Sequence, residues 1–236
     1  MSLDAIIWDF DGTMVDSLEH NRNITLKVLE KMNIAPPEEL NELEQYRNLN
    51  YMYRNWKDLY RFGYNMNEEE VYNAGKLWTP LQTEYNSNLK FYPGIKEIII
   101  MFKDKLQAIC SQNSKLNIEK VLELEGVKEI FNLVIGYEEV AHAKQKPDPE
   151  ALIICLKKFF DDNAKKTVVY IGDHEEDSIF AKNADQEINQ QGNNIRIISI
   201  IISFNNFNKK NKYSSPDYRV NGSNELKELL LEIEKL

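Results

Sequence analysis

Short apolar runs recur along the chain, and segments with helical spacing separate them. The first run, Ala5–Trp8, ends in an acidic turn that contains glycine. Continuous apolar runs of this length predict parallel strands that are buried on both faces. The later runs are Leu106–Cys110, Leu133–Gly136, Thr167–Ile171 and Ile195–Ile201. Strands that alternate with helices predict an α/β fold, with a parallel sheet covered by helices on both faces.

Residues 16–90 differ from the rest of the chain. They lack a clear strand pattern and are dense in Leu, Tyr, Trp, Glu, Lys and Asn at helical spacing, so we interpret them as a helical insertion. Tyr92-Pro93-Gly94 then interrupts the helical pattern before the next helix begins. The predicted organisation is a core of residues 1–15 and 91–236 with a helical domain inserted at 16–90.

The end of the chain shows two further patterns. Residues 205–216 are polar, which predicts an exposed loop after the last apolar run. From Glu225 to Leu236, apolar residues recur at the spacing that predicts a final amphipathic helix.

Composition and net charge limit the kinds of molecule that we expect the protein to bind. The 236 residues are 42% hydrophobic and 28% charged, as in an ordinary globular protein. The formal net charge of -9 disfavours non-specific binding to nucleic acid or to an anionic membrane. We find no leader-like segment and no apolar stretch of membrane-spanning length. Cys110 and Cys155 are the only cysteines and lack zinc-type spacing, so we expect neither a disulfide scaffold nor a metal cluster, and a reduced, cytoplasmic setting. We also expect a monomer or weak homodimer, although no feature of the sequence fixes the oligomeric state.

Polar residues follow the apolar runs at the places where an α/β sheet binds ligands. Ligands of such sheets bind beyond the carboxyl ends of the strands. Four carboxylates gathered there would repel one another unless a hard cation lay among them, and an oxygen-only ligand set favours Mg²⁺ over zinc. The residues in question are Asp9, Asp11, Ser111, Lys146, Asp173 and Asp177.

Each of these residues also has a structural interpretation. Asp9 and Asp11 could form a solvated turn that caps a helix, and Ser111 could be a helix cap. Lys146 could be a solvent-exposed residue before a proline. The acidic residues Glu175 and Glu176 suit the positive end of a helix dipole and need no other role.

Four sequence blocks, taken in order, resemble the signature motifs of the haloacid dehalogenase superfamily. They are Asp9–Thr13, Ser111, Lys146–Pro149 and Gly172–Asp177. The resemblance is to the branch of phosphatases with a helical cap inserted after the first motif, similar to phosphoglycolate phosphatase and β-phosphoglucomutase. It implies a Rossmann-like core, a cap at residues 16–90 and a small phosphorylated metabolite as the substrate.

The resemblance also implies a role for each matching residue. Asp9 would attack phosphorus and form an aspartyl-phosphate, while Asp11 would act as the general acid and then the general base. Ser111 and Lys146 would hold the phosphoryl group. Mg²⁺ would be bound by Asp9, by the backbone carbonyl of Asp11 and by Asp173. Asp177 would be a further ligand or would orient metal-bound water.

Of two further positions near these motifs, His174 departs from the family pattern and Asn113 has no fixed identity in the family. His174 stands where relatives usually carry a small hydroxyl residue, and it either contacts phosphate or caps a helix, of which we favour the cap. Asn113 is a candidate phosphate donor.

The expected function is hydrolysis of a small phosphate monoester that is phosphoglycolate-like or a sugar phosphate. The alternatives are a β-phosphoglucomutase-like phosphotransferase and a catalytically silent interaction protein. Asp11 disfavours dehalogenation, because a halide leaving group needs no acid at that position. A cap lysine that forms a Schiff base would indicate phosphonate cleavage instead.

The inserted segment offers one candidate substrate surface. Its basic residues fall close to one helical face among aromatic residues, so they form either a cationic surface for an anionic substrate or a solvated face beside an aromatic core. We favour the second. His20 and Lys27 are further candidate contacts. The basic residues of the face are Arg47, Arg54, Lys57 and Arg61.

Overall fold

The structure is a computed structural model in which residues 2–53, 55–84, 89–204 and 215–235 are described. It divides into two compact units. Met1–Val15 and Lys90–Leu236 form the first, which we call the α/β unit, and Asp16–Leu89 forms the second, the helical unit. The predictions made for Arg54 and for most of the polar loop, residues 205–214, lie outside the described residues.

Within the described residues, six strands form one parallel sheet in the order β3-β2-β1-β4-β5-β6. This confirms the predicted α/β fold. The chain order reverses beside β1, which creates the kind of crevice at the carboxyl ends of the strands where α/β proteins bind ligands. The strands are β1 (Ala5–Trp8), β2 (Leu106–Cys110), β3 (Leu133–Ile135), β4 (Lys166–Gly172), β5 (Ile195–Ser203) and β6 (Tyr218–Asn221).

Helices make up the rest of the regular structure. In the helical unit they are α1 (Leu18–Lys31), α2 (Leu43–Met52), α3 (Trp56–Asp58), which continues as a π-helix over Leu59–Gly63, and α4 (Glu68–Glu84). In the α/β unit they are α5 (Ile95–Met101), α6 (Lys115–Glu125), α7 (Glu150–Phe159), α8 (Glu175–Gln190) and α9 (Gly222–Lys235). No described helix is long and apolar enough to cross a membrane.

The central position of β1 determines where the first motif lies. All four residues of β1 are fully buried, in keeping with its uninterrupted apolar sequence. Trp8 pairs with Ile109 of β2 on one side and with Ile171 of β4 on the other. The three strands therefore end level with one another, and the residues that follow them meet at one edge of the sheet.

The sixth strand was not predicted. Of its four residues only Val220 is buried, so the sequence offers a single apolar position instead of a run. The strand pairs with β5 at the end of the sheet order. Its entry is held by Asp217, whose carboxylate accepts hydrogen bonds from the backbone N–H and the hydroxyl of Ser199, both at 2.8 Å. The hydrogen bonds between Asp217 and Ser199 thus help to hold this strand, which lacks the apolar pattern that strand prediction depends on.

The helical unit has its own apolar core, and the aromatic residues contribute to it. Tyr46 and Tyr60 are buried among Ile24, Leu29 and other apolar residues of this unit. The described arginines of the predicted basic face lie against acids of the same unit. Arg47 is 3.1 Å from Glu44, and Arg61 is 3.0 Å from Asp58 and 2.6 Å from Glu68. This arrangement supports the interpretation of a solvated face beside an aromatic core.

Candidate active site

The turn after β1 places Asp9 at the edge of the sheet. The backbone N–H of Asp9 donates to the carbonyl of Ile171 at 2.8 Å, so the ladder with β4 extends one residue beyond the strand. Gly12 then takes a left-handed conformation with φ of 75°. A Cβ at this position would overlap the carboxylate of Asp173. Glycine is therefore needed both for the backbone conformation and for the close approach of the fourth motif.

A buried ion-pair network links three of the predicted site residues. The Nζ atom of Lys146 lies 2.6 Å from Oδ1 of Asp9 and 2.7 Å from Oδ1 of Asp177. Only 6% of the Lys146 side chain is exposed. Burial alone would lower the pKa of Lys146, but the negative charges of Asp177 and Asp9 outweigh it and raise that pKa well above its usual value. The lysine is therefore an ammonium ion at neutral pH.

The loop that carries Lys146 is fixed by two side chains. The peptide bond between Lys146 and Pro147 is cis. The Gln112 side chain donates to the carbonyl of Lys146 at 3.3 Å, and Asn183 donates to the carbonyl of Pro147 at 2.8 Å. These bonds tie the loop to the end of β2 and to α8.

Among the described residues, three carboxylates form a cluster that could hold a metal ion. Asp9, Asp173 and Asp177 each have an oxygen within 4.8 Å of the other two. The Thr13 hydroxyl lies 3.5 Å from carboxylate oxygens of both Asp9 and Asp173. Together with Asp11 there are four acids near one ammonium ion, so the site has an excess of negative charge. Oxygen ligands of this kind suit a hard divalent cation.

The pKa of Asp9 is raised to about 7. Burial is the largest cause, and the charges of Asp177 and Asp11 also raise this pKa, whereas Lys146 lowers it. A divalent cation bound beside the carboxylate would lower the pKa again and keep Asp9 ionised. The residues present therefore fit a metal ion.

Asp177 has hydrogen-bond partners at both carboxylate oxygens. Its Oδ1 accepts from Lys146 and, at 3.2 Å, from the Tyr170 hydroxyl. Its Oδ2 accepts from the backbone N–H of His174 at 3.0 Å. These contacts position Asp177 as the residue that anchors Lys146 beside the cluster.

The start of α8 explains the unusual residue that follows Asp173. His174 is the N-cap of this helix, and its Nδ1 accepts from the backbone N–H of Glu176 at 3.3 Å. Asp177 completes a capping box. Glu175 and Glu176 occupy the first turn, where the helix dipole favours acids. The structure thus supports the capping interpretation of His174 over a phosphate contact.

The residues that follow β2 lie close to Asp11. The Ser111 hydroxyl accepts from the backbone N–H of Asn113 at 3.3 Å, and Ser111 and Lys146 line the same small pocket. The Asn113 side chain donates to Oδ2 of Asp11 at 2.8 Å. Within the described part of the chain, Oδ1 of Asp11 is buried without a hydrogen-bond partner. The structure therefore brings the predicted site residues of the α/β unit to one edge of the sheet, whereas His20 and Lys27 lie on α1 of the helical unit.

Sequence reasoning missed the aromatic surroundings of Lys146. Its Nζ lies 5.4 Å from the ring centroids of both Tyr170 and Phe180. A cation at this distance is attracted to the face of an aromatic ring. Tyr170 lies inside the predicted fourth strand, where it passes for a core residue. The available signal was its phenol, because a buried tyrosine hydroxyl usually has a hydrogen-bond partner.

Comparison with known proteins gives one family. A model of the haloacid dehalogenase-like hydrolase family matches residues 6–188, a range that includes every predicted site residue. A search of curated proteins gives no significant match.

Several solved structures are similar over nearly their whole length. A provisionally assigned phosphoglycolate phosphatase from Lactobacillus plantarum has a TM-score of 0.74 at 16% identity, with 97% of this chain and 100% of the other covered. A predicted phosphatase from Clostridium acetobutylicum has a TM-score of 0.72 at 21% identity, with coverages of 98% and 100%. At such identities the similarity establishes a shared fold.

Proposed function

The chain belongs to the haloacid dehalogenase-like hydrolase family, and from this premise we propose that it is a Mg²⁺-dependent phosphatase of small phosphate monoesters. The observation that carries the proposal is the buried carboxylate of Asp9 at the end of β1, with Lys146 at 2.6 Å and with Asp173 and Asp177 in the same cluster. Two of the similar structures carry the name phosphoglycolate phosphatase, which supports a phosphoglycolate-like substrate, and a sugar phosphate is the second candidate.

In the first step, a carboxylate oxygen of Asp9 attacks phosphorus as the ester P–O bond breaks. The electron pair of that bond stays on the leaving oxygen, which takes a proton from Asp11, and the alcohol departs. Lys146, which lies 2.6 Å from Asp9, and the Ser111 hydroxyl stabilise the charge on the phosphoryl oxygens.

In the second step, water attacks the phosphorus of the aspartyl-phosphate and gives a proton to Asp11. The bond between phosphorus and Asp9 breaks, its electron pair returns to the carboxylate, and inorganic phosphate leaves. Asp11 thus ends the cycle protonated, as it began.

The metal ion would be held by the side chains of Asp9 and Asp173 and by the backbone carbonyl of Asp11. Asp177 would contribute directly or through a water molecule. When bound, Mg²⁺ offsets the repulsion between an attacking carboxylate and an anionic phosphate.

The helical unit is the cap in this proposal. In the sequence it lies between β1 and α5, directly after the turn that carries Asp9 and Asp11. Insertions at this point suit substrate selection, because they leave the catalytic motifs unchanged. The core would then be residues 1–15 and 91–236 and the cap residues 16–90.

The test is a screen for phosphate release from a panel of phosphate monoesters with and without Mg²⁺, using wild type, Asp9→Asn and the exposed control Asp104→Asn. We expect Mg²⁺-dependent release that Asp9→Asn abolishes and Asp104→Asn preserves. Mass spectrometry of acid-quenched enzyme should find phosphate on Asp9.

Two results would redirect the proposal. Phosphate that stays on an isomerised sugar would identify a phosphotransferase. A folded wild-type protein without turnover of any ester, with Mg²⁺ or other divalent metals, would refute catalysis and favour an interaction protein.

A further inference from the structure

A chain of side-chain amides leads to Asp11 from the first turn of α6. Asn117 donates from Nδ2 to Oδ1 of Asn113 at 3.0 Å, and Asn113 donates from Nδ2 to Oδ2 of Asp11 at 2.8 Å. Asn113 is 1% exposed, so the middle member of this chain is shielded from solvent. Its backbone carbonyl also accepts from the N–H of Tyr137 at 3.1 Å, which fixes the main chain at this position.

The chemistry of the three groups fixes the direction of this chain. Oδ2 of Asp11 accepts hydrogen bonds both when Asp11 is ionised and when Asp11 carries its proton on Oδ1, so the Asn113 atom that faces Oδ2 must be the amide nitrogen. The amide oxygen of Asn113 then faces Asn117, which must present its own nitrogen. The network has a single consistent orientation, and Asn117 stabilises it.

The two oxygens of Asp11 are therefore not equivalent. Oδ2 is held by Asn113, while Oδ1 is buried and has no partner among the described residues. A buried oxygen without a partner is costly unless something in the working enzyme bonds to it. The oxygen that is left for a reacting proton is Oδ1.

We infer that Asn113 is a positioning residue, which reserves Oδ1 of Asp11 for proton exchange with the leaving oxygen and then with water. This inference rests on the proposed function and deepens it. Asn113 touches neither substrate nor metal in this role and acts through Asp11. The sequence suggested that Asn113 donates a hydrogen bond to phosphate, whereas in the structure its side chain donates to Asp11.

The experiment compares two esters of similar shape. The leaving group of 4-nitrophenyl phosphate departs readily as the nitrophenolate anion and needs no protonation. The phenolate of phenyl phosphate is a poorer leaving group, so its departure depends more on protonation by a general acid. In Asn113→Ala we expect kcat/KM for phenyl phosphate to fall about tenfold more than for 4-nitrophenyl phosphate, because a mispositioned acid loses part of the about 10²–10⁴-fold that general acid catalysis contributes. Asn117→Ala keeps Asn113 in place, and it should shift the same ratio in the same direction by less.

Two comparison variants make the result specific. Asp11→Asn should shift the ratio at least as far as Asn113→Ala. Ser114→Ala removes the N-cap hydroxyl of α6, which accepts from the N–H of Asn117 at 3.2 Å, so it weakens the same helix terminus without removing the amide chain. It should lower both rates alike.

Equal losses on both esters in both asparagine variants would show a purely structural role and overturn the inference. If Asn113→Ala does not fold, a wild-type ratio of the two kcat/KM values in Asn117→Ala would also overturn the inference. Wild-type protein that hydrolyses neither ester with Mg²⁺ would overturn the proposed function itself, and the inference would fall with it.

Discussion

Replacing Lys146 with methionine should destabilise the folded protein, because the carboxylates of Asp9 and Asp177 would then repel one another without a compensating positive charge. At 2.6 Å from Asp9 and 2.7 Å from Asp177, and with an effective dielectric constant of about 20, each of its two carboxylate contacts corresponds to roughly 6 kcal/mol of attraction. Much of this offsets the cost of burying the charges. Removing one partner of a buried ion pair typically costs about 3–5 kcal/mol. We expect Lys146→Met to lose about that much unfolding free energy when metal is absent.

The assay is thermal unfolding in a chelator and again in excess Mg²⁺. For a chain of this length, a loss of about 3–5 kcal/mol lowers the midpoint by about 10 °C. A cation that binds the folded carboxylate cluster stabilises it by mass action, so Mg²⁺ should raise the midpoint of Lys146→Met more than that of wild type.

The matched control is Lys144→Met in the same loop. Lys144 pairs with Asp148 at 3.1 Å, but 53% of its side chain is exposed. Exposed ion pairs contribute about 0–1 kcal/mol, so the control should unfold near the wild-type temperature. Equal midpoints for the two variants in chelator would refute the reasoning, because the buried contacts would then contribute no more than a surface pair.

Two further predictions concern the cluster. Without metal, the pKa of Asp9 is raised to about 7, so the folded state binds more protons than the unfolded state and unfolding free energy should fall as pH rises. The fall should total about 4 kcal/mol between about pH 4 and 7, at about 1.4 kcal/mol per pH unit, and Mg²⁺ should reduce it. Chemical denaturation across that range, with Asp9→Asn as the insensitive control, measures it. Gly12→Ala should weaken Mg²⁺ activation at least tenfold by displacing Asp173, whereas Gly126→Ala, also at positive φ but with open space around its Cβ, should not.

The sequence predicted the central strands well because their signal is local. The predicted and observed bounds agree for Ala5–Trp8 and Leu106–Cys110, both of which are uninterrupted apolar runs. The edge strand Tyr218–Asn221 was missed because one buried valine gives no pattern. Its stability depends on pairing with β5 and on Asp217, and no local window contains both.

The sequence likewise predicted one part of the candidate site and missed another. The sequence motifs identify Asp9, Lys146 and Asp173 as site residues, and the catalytic roles of these residues stay predictions. The sequence did not predict which residues position them. Tyr170 lies within an apolar strand, and the partner of Asn113 is Asp11, which is distant in sequence. Such roles depend on distances between elements, which composition and spacing do not encode.

The central place of β1 also bears on how the protein folds. This strand is made near the start of the chain, but its partners are Leu106–Ile109 and Val168–Ile171. Pairing over such separations requires the closure of long loops, which slows folding. The helical unit, with its own apolar core, depends on local contacts. We therefore expect Asp9 to join Lys146 and Asp173 among the last events of folding, so that recovery of metal binding lags behind recovery of helical structure.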